Sequence, residues 1–347
     1  MIRVLIVDDS AVVRKILSGE LSKYEDIQVV GTAIDPYVAR DKIVKLKPDV
    51  VTLDIEMPRM DGLSFLAKLM KYHPIPVVIV SSLAPENSET ALKALELGAV
   101  DVVAKPSSVY SVPAISRLVH AIRAAASAKL PRQIPSETSR LARSIDLPRE
   151  IQTTHKIIAI GASTGGTKAI EVVLRDFPPS APGTVIVQHM PEYFTASFAQ
   201  RLNRICRVEV REAKDQDSVI PGVALIAPGG KHMVLKRSGA RYIVRIKDGP
   251  PVHYQKPSVD VLFQSVALNA GRNAIGVLLT GMGADGARGL LAMHENGAYT
   301  IAQDEQSCVV FGMPREAIKL GAVDEVLPLG DIARRIFEML VRENKRR

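Results

Sequence analysis

In the second half of this sequence a serine, a histidine and an aspartate each stand shortly after an apolar run. The turn Gly161-Ala162-Ser163-Thr164-Gly165-Gly166 follows the run Ile157–Ile160 and precedes apolar residues at helical spacing, Ala169, Ile170, Val173, Leu174 and Phe177. It fits G-x-S-x-G in the strand–turn–helix setting that a nucleophilic serine requires. The helix's first N–H groups would lie near a developing oxyanion. His189 follows Thr184–Val187, and Asp285 lies in the Gly-rich segment after Ile275–Leu279. An imidazole can take the serine's proton, and a carboxylate can hold the imidazole's tautomer and stabilise its cation. The residues alone leave alternatives open. The glycine turn could cradle phosphate, although the G-x-G-x-x-G spacing is absent. His232, in an equally Gly-rich turn, competes with His189 for the base. Asp285 could cap a helix starting near Gly286, and Met282 could be packing or an oxyanion donor through its N–H.

A second constellation lies in the first third of the chain. Arg3–Val7 leads to Asp8-Asp9, Val50–Leu53 to Asp54, Val77–Val80 to Ser81-Ser82, and Val102–Ala104 to Lys105-Pro106. In a parallel sheet these residues converge on the edge formed by the strands' carboxyl ends. Like charges gathered there repel unless a cation is present, and hard oxygen ligands suit Mg²⁺. A carboxylate beside such an ion can act as nucleophile in phosphoryl transfer.

Both constellations need strands that alternate with helices, and the pattern supplies them twice. It predicts an α/β protein of two doubly wound domains: one over 1–130 and a second, mainly parallel one over 155–347. A helix is expected from about Ala11 to Leu21, another from Thr167 to Phe177, and a last helix of the first unit from Pro113 to Leu130. Residues 131–154, rich in Ser, Thr, Pro and Arg, read as an interdomain linker.

Composition narrows the classes. The chain has 347 residues, 47% apolar and 4% aromatic, with no Trp, which suits aliphatic cores. No apolar run reaches the roughly 20 residues of a membrane helix. The start Met1-Ile2-Arg3 lacks a signal-peptide layout, so a cytoplasmic protein without membrane insertion is expected. Cys206 and Cys308 show no metal-like spacing. The net charge is +8, and residues 107–156 carry 8 Lys+Arg against 3 Asp+Glu. These cations are scattered without aromatic residues among them, which reads as a solvated connector and not as a nucleic-acid surface. A DNA-binding response regulator would need a helix-turn-helix or similar reader, whereas residues 155–347 alternate strands and helices. A nucleotide-binding module on the Gly161–Gly166 turn would leave His189 and Asp285 without work.

Two stretches resemble known families. Val7-Asp8-Asp9-Ser10, Asp54-Ile55-Glu56-Met57-Pro58-Arg59-Met60-Asp61-Gly62, Ser81 and Lys105-Pro106 resemble a response-regulator receiver domain. That resemblance implies a flavodoxin-like fold, Asp54 as phosphoacceptor, and Asp8, Asp9, Asp54 and the Glu56 carbonyl around Mg²⁺. It also implies Ser81 and Lys105 as phosphate contacts, and a chemotaxis histidine kinase as phosphodonor. Receivers often carry an aromatic switch residue three positions before the lysine, and Val102 stands there. Residues 155 to about 335 are similar to the catalytic domain of the chemotaxis protein-glutamate methylesterases. The similarity is carried by Gly161–Gly166, Gln188-His189-Met190, Ala227–Gly230, Pro257–Phe263, Leu279–Gly286 and Phe311–Pro314. It implies Ser163 as nucleophile, His189 as base, Asp285 as its orienting carboxylate, and Thr164 and Met282 near the oxyanion and substrate. His232 is then substrate-proximal or structural. No cofactor is implied for ester hydrolysis. The implied substrates are γ-methyl glutamyl esters and certain glutamines of methyl-accepting chemoreceptors.

Overall fold

The computed structural model describes residues 1–57, 62–82, 85–105, 112–129 and 156–345. Pro58–Asp61, Pro106 and the linker expected over 131–154 lie outside the described residues. The described chain forms two compact units, each built on its own parallel sheet.

In the first unit, β1 (Ile2–Val7), β2 (Ile27–Ala33), β3 (Val50–Leu53), β4 (Val77–Ser81) and β5 (Asp101–Ala104) lie in the order β2-β1-β3-β4-β5. Every pairing is parallel. Near-continuous aliphatic runs make these strands, as expected of a sheet covered on both faces. They alternate with α1 (Ala11–Leu21), α2 (Pro36–Leu46), α3 (Gly62–Tyr72), α4 (Pro85–Glu96) and α5 (Val112–Ala126). The strand order reverses at β1, so the crevice between the carboxyl ends of β1 and β3 is the topological switch point. Helix α1 spans the expected residues, with the Ser10 hydroxyl accepting from Val13 N as its N-cap. Helix α5 stops at Ala126, short of the expected Leu130. The Ser127 hydroxyl donates to the carbonyls of Arg123 and Ala124 at 3.0 and 3.1 Å, and so competes for the last turn's acceptors.

The second unit opens with β6 (Ile157–Ala162), α6 (Gly166–Arg175), β7 (Gly183–Gln188), α7 (Phe194–Ile205), β8 (Glu209–Glu212) and β9 (Val223–Ile226). A hairpin of β10 (His232–Ser238) and β11 (Arg241–Lys247) leads to α8 (Val259–Ala270). The chain then runs through β12 (Ala274–Leu278), α9 (Ala287–Glu295), β13 (Tyr299–Gln303), α10 (Met313–Lys319), β14 (Glu325–Leu327) and α11 (Leu329–Lys345). Seven of these strands form one sheet, β14-β13-β12-β6-β7-β9-β8, in which every pairing is parallel. Its switch point falls between β6 and β12. The hairpin is a separate antiparallel pair, absent from the sequence expectation. Its inward residues Met233, Leu235 and Val244 join Val259, Leu262 and Phe263 of α8 in the core. Helix α8 also satisfies the hairpin's backbone: Ser265 Oγ accepts from Leu235 N at 2.8 Å and Asn269 Oδ1 from Arg237 N at 3.2 Å. Unpaired strand-edge donors are thereby met by side chains.

Gly161 lets β6 pass against the start of α8. A Cβ there would lie 2.2 Å from Val259 Cγ1 and 3.2 Å from Phe263 Cζ, both fully buried. Gly161→Ala should therefore destabilise this unit by about 1–3 kcal/mol through overpacking. The check is the denaturant midpoint of the full chain, followed by a probe in this unit.

Candidate functional site

At the β6/β12 switch point the chain leaves β6 through Ser163. The Ser163 N–H donates to Thr280 O at 3.0 Å, which ties the turn to the segment after β12. Ser163 O accepts from Gly166 N at 2.7 Å and from Gln188 Nε2 at 2.8 Å. Gly165 has φ +78, and a Cβ on it would lie 2.6 Å from Val309 Cβ, so both conformation and space require glycine. The turn is thus anchored on both of its neighbours, and Ser163 sits just before the amino end of α6.

Strands β6 and β7 pair with Ala162 opposite Gln188, so one further step in register sets Ser163 beside His189. His189 N donates to Ala162 O at 3.1 Å. The His189 ring reaches the third residue: Nε2 lies 2.7 Å from Asp285 Oδ2. Ser163, His189 and Asp285 are 1%, 2% and 2% exposed. Ser163 Oγ and His189 Nδ1 are both buried and hydrogen-bond to nothing among the described residues. The serine–histidine bond expected from the sequence is therefore not made. The two groups it would join are left without other partners.

Asp285 does not cap α9, the alternative open in the sequence. The N-cap of α9 is Gly286, which has no side chain to offer. Instead the carboxylate accepts from the start of α8: Ser258 Oγ at 2.7 Å and Asp260 N at 3.0 Å on Oδ1, and Val259 N at 2.7 Å on Oδ2. Burial pushes its carboxyl up, but the hydrogen bonds from His189, Ser258 and the Asp260 backbone outweigh that and hold it below its ordinary value. An ionised Asp285 accepts, so Nε2 of His189 carries the ring proton and Nδ1 keeps its lone pair.

His232, the rival base, is committed elsewhere. Its Nδ1 accepts from Ser258 N at 3.2 Å, and its Nε2 donates to Pro250 O at 3.0 Å. Thr164 is buried, and its carbonyl accepts from Thr280 Oγ1 at 3.0 Å. Met282 is half-buried in the turn after β12. That turn is held from behind, where Gly281 O accepts from Gly312 N at 3.0 Å and Met313 N at 2.8 Å. For Gln188, Thr280 and Ser258 the sequence pattern predicts no role. Ser258 had a signal, a serine just before an apolar helical run.

In the first unit the expected convergence forms at the β1/β3 crevice. Lys105 Nζ lies 2.6 Å from Asp54 Oδ2 and 3.2 Å from Asp8 Oδ2. Carboxylate oxygens of Asp8, Asp9 and Asp54 lie within 4.8 Å of one another. Asp8 Oδ2 makes no hydrogen bond among the described residues, and neither does the buried Ser81 Oγ. Three clustered carboxylates are hard oxygen donors that fit a divalent cation such as Mg²⁺. The Glu56 N–H donates to Asp54 Oδ1 at 3.1 Å. Val102 is buried in β5 opposite Ile79. Burial raises the Asp54 carboxyl most; Lys105 offsets part of this, Asp8 adds to it, and the result is about 6.

A buried hydroxyl, imidazole and carboxylate thus stand at the carboxyl edge of one sheet, and three carboxylates with a lysine at that of the other. Residues 158–336 match the family model described as CheB methylesterase, and residues 4–115 match the response regulator receiver domain. The chain is 59% identical over 340 residues to protein-glutamate methylesterase/protein-glutamine glutaminase 2 of Syntrophus aciditrophicus, covering 98% of this chain and 99% of that one. A protein of Pectobacterium atrosepticum, named protein-glutamate methylesterase/protein-glutamine glutaminase, is 55% identical over 343 residues, with 98% and 97% covered. The crystal structure of the Thermotoga maritima CheB methylesterase catalytic domain superposes with a TM-score of 0.52 at 37% identity, covering 53% of this chain and 98% of that one. The chain belongs to the CheB methylesterase family and carries a response regulator receiver domain. No helix among the described residues is long and apolar enough to cross a membrane.

The Asp54 carboxyl gives a pH signature without metal. Its folded value, about 6, lies above its ordinary 3.8, so the folded state binds the extra proton between the two. Stability should therefore fall as pH rises through that window and level off above it. Asp54→Asn should remove this component. The measurement is denaturant unfolding of the full chain against pH in chelator, followed by a receiver-domain probe.

Proposed function

We propose that this chain is a phosphorylation-regulated protein-glutamate methylesterase and protein-glutamine glutaminase acting on methyl-accepting chemoreceptors. The receiver would span 1–130, the connector 131–154 and the hydrolase 155–347. The observation that carries the reading is the 2.7 Å His189–Asp285 bond beside a buried Ser163, with Ser163 Oγ and His189 Nδ1 both uncommitted among the described residues. The full-length relatives with that name support the substrate class.

Ser163 Oγ attacks the carbonyl carbon of a glutamyl γ-methyl ester as His189 Nδ1 accepts its proton. Asp285 stabilises the imidazolium and keeps the ring from turning. Thr164 and the Met282 turn would stabilise the oxyanion. The tetrahedral intermediate expels methoxide, which leaves as methanol with the His189 proton, and an acyl-serine remains. Water then gives a proton to His189 and attacks the acyl carbon; as the second tetrahedral intermediate collapses, His189 returns that proton to Ser163 Oγ, and the glutamic acid released ionises to its carboxylate. With a glutamine the first leaving group is ammonia, and the rest is unchanged.

In the receiver, an Asp54 oxygen attacks the phosphorus of a phosphohistidine on the partner kinase, whose P–N bond breaks. Lys105 and Ser81 receive the phosphoryl oxygens. Asp8, Asp9, Asp54 and the Glu56 carbonyl are the residues that would hold Mg²⁺. When bound, the ion supplies positive charge that offsets the gathered carboxylates and phosphoryl oxygens. No cofactor is proposed for ester hydrolysis, and the cytoplasm is the proposed compartment.

Methanol release from methylated receptor membranes tests the hydrolase. Ser163→Ala and His189→Ala should lower the turnover number by several orders of magnitude, with losses up to about 10⁶. Asp285→Asn should lower it by roughly 10⁴. His232→Ala should retain most of the turnover; the reverse pattern for the two histidines would refute the assignment of the base. A phosphodonor with Mg²⁺ should label Asp54 and raise the rate of the full chain. Asp54→Asn should abolish both effects, and full labelling of that variant at another residue would overturn the receiver assignment.

A further inference from the structure

Four donors meet the two oxygens of Asp285, and Ser258 supplies the one that is a side-chain hydroxyl. Its Oγ donates to Oδ1 at 2.7 Å, while Val261 N approaches the same hydroxyl at a longer 3.4 Å, the ordinary N-cap contact of α8. Ser258 is fully buried. Its own N–H is held at 3.2 Å by His232 Nδ1, and that ring is fixed in turn by Pro250 O at 3.0 Å. A line of bonded groups thus runs from the loop after β11 through His232, Ser258 and Asp285 to His189. His189 cannot turn about its Asp285 bond without loosening it, and Asp285 cannot turn without losing donors from the first turn of α8.

We infer that Ser258 is a positioning residue for acyl transfer, its hydroxyl orienting Asp285 and, through it, the Nδ1 lone pair of His189. The inference rests on the triad reading above. It assigns two separable duties to one serine: as an acceptor it caps a helix, and as a donor it holds a carboxylate.

Substitution separates these duties. Glycine is tolerated at an N-cap at a cost of a few tenths of a kcal/mol, whereas alanine loses the cap. Both remove the donor. On methylated receptor membranes, Ser258→Gly and Ser258→Ala in the full chain should each lower kcat by about tenfold to hundredfold with KM unchanged, the range for one hydrogen bond to a charged group. The low-field proton resonance of His189 Nε2–H should shift or broaden in Ser258→Gly although the protein stays folded. In an Asp285→Asn background, Ser258→Gly should change kcat by less than about twofold, because the group it serves is already gone. Two results overturn the inference. One is a Ser258→Gly enzyme with parental kcat and an unmoved resonance, which would leave capping as the serine's whole role. The other is a loss that multiplies with that of Asp285→Asn. If Asp285→Asn itself keeps full turnover, the triad reading fails first, and this inference falls with it.

Discussion

A carboxylate taken out of water stays ionised only where donors replace the water it lost. Asp285 meets that condition through the start of α8, where two backbone N–H groups and the Ser258 hydroxyl converge with the His189 ring. The amino end of a helix offers such donors because its first N–H groups have no partners within the helix. Much of the second unit serves this junction. The glycine at 161 lets β6 approach Val259, the hairpin packs on α8, and Gly281 anchors the turn that leads to Asp285.

The receiver treats its central carboxylate in the opposite way. Asp54 is as buried as Asp285, yet burial prevails over Lys105 and its carboxyl rises to about 6. Asp285 faces neutral donors and a ring that gains charge, and its carboxyl falls. The difference suits the two duties we propose for these carboxylates. A carboxylate that must attack is better left under-solvated and near a cation site, whereas one that must hold a ring still is better saturated with donors.

The parts legible in the sequence were those set by local pattern. Helix α1 and strand β3 have the residues expected for them, because a capping Ser10 and an unbroken Val50–Leu53 run need no tertiary help. The convergence of Asp8, Asp9, Asp54, Ser81 and Lys105 follows from each standing just after an apolar run, because parallel strands bring their carboxyl ends to one edge. The β10–β11 hairpin escapes a sequence reading because its alternation is broken: Arg237 stands on the face of Met233 and Leu235, opposite Tyr242, while Val234 and Ile243 put apolar residues on the other face. Its two-residue turn Gly239-Ala240, with Gly239 at φ +59, was a usable signal. Strand β14, with three residues, is too short for periodicity to show. The donors to Asp285 were beyond reach for another reason. Ser258, Val259 and Asp260 sit about 25 residues before it, and their meeting depends on how α8 packs against β6 and α9.

Helix α8 has two attachments that are far apart in kind. Its first turn grips Asp285, and its flank, through Ser265 and Asn269, grips the backbone of β10. The Leu235 and Arg237 amides therefore exchange their hydrogens with solvent at a rate that depends on whether α8 is seated. Two amide protons in a hairpin thus become a gauge of the buried carboxylate, readable without substrate. Any event that loosens α8 would be recorded there before turnover is assayed.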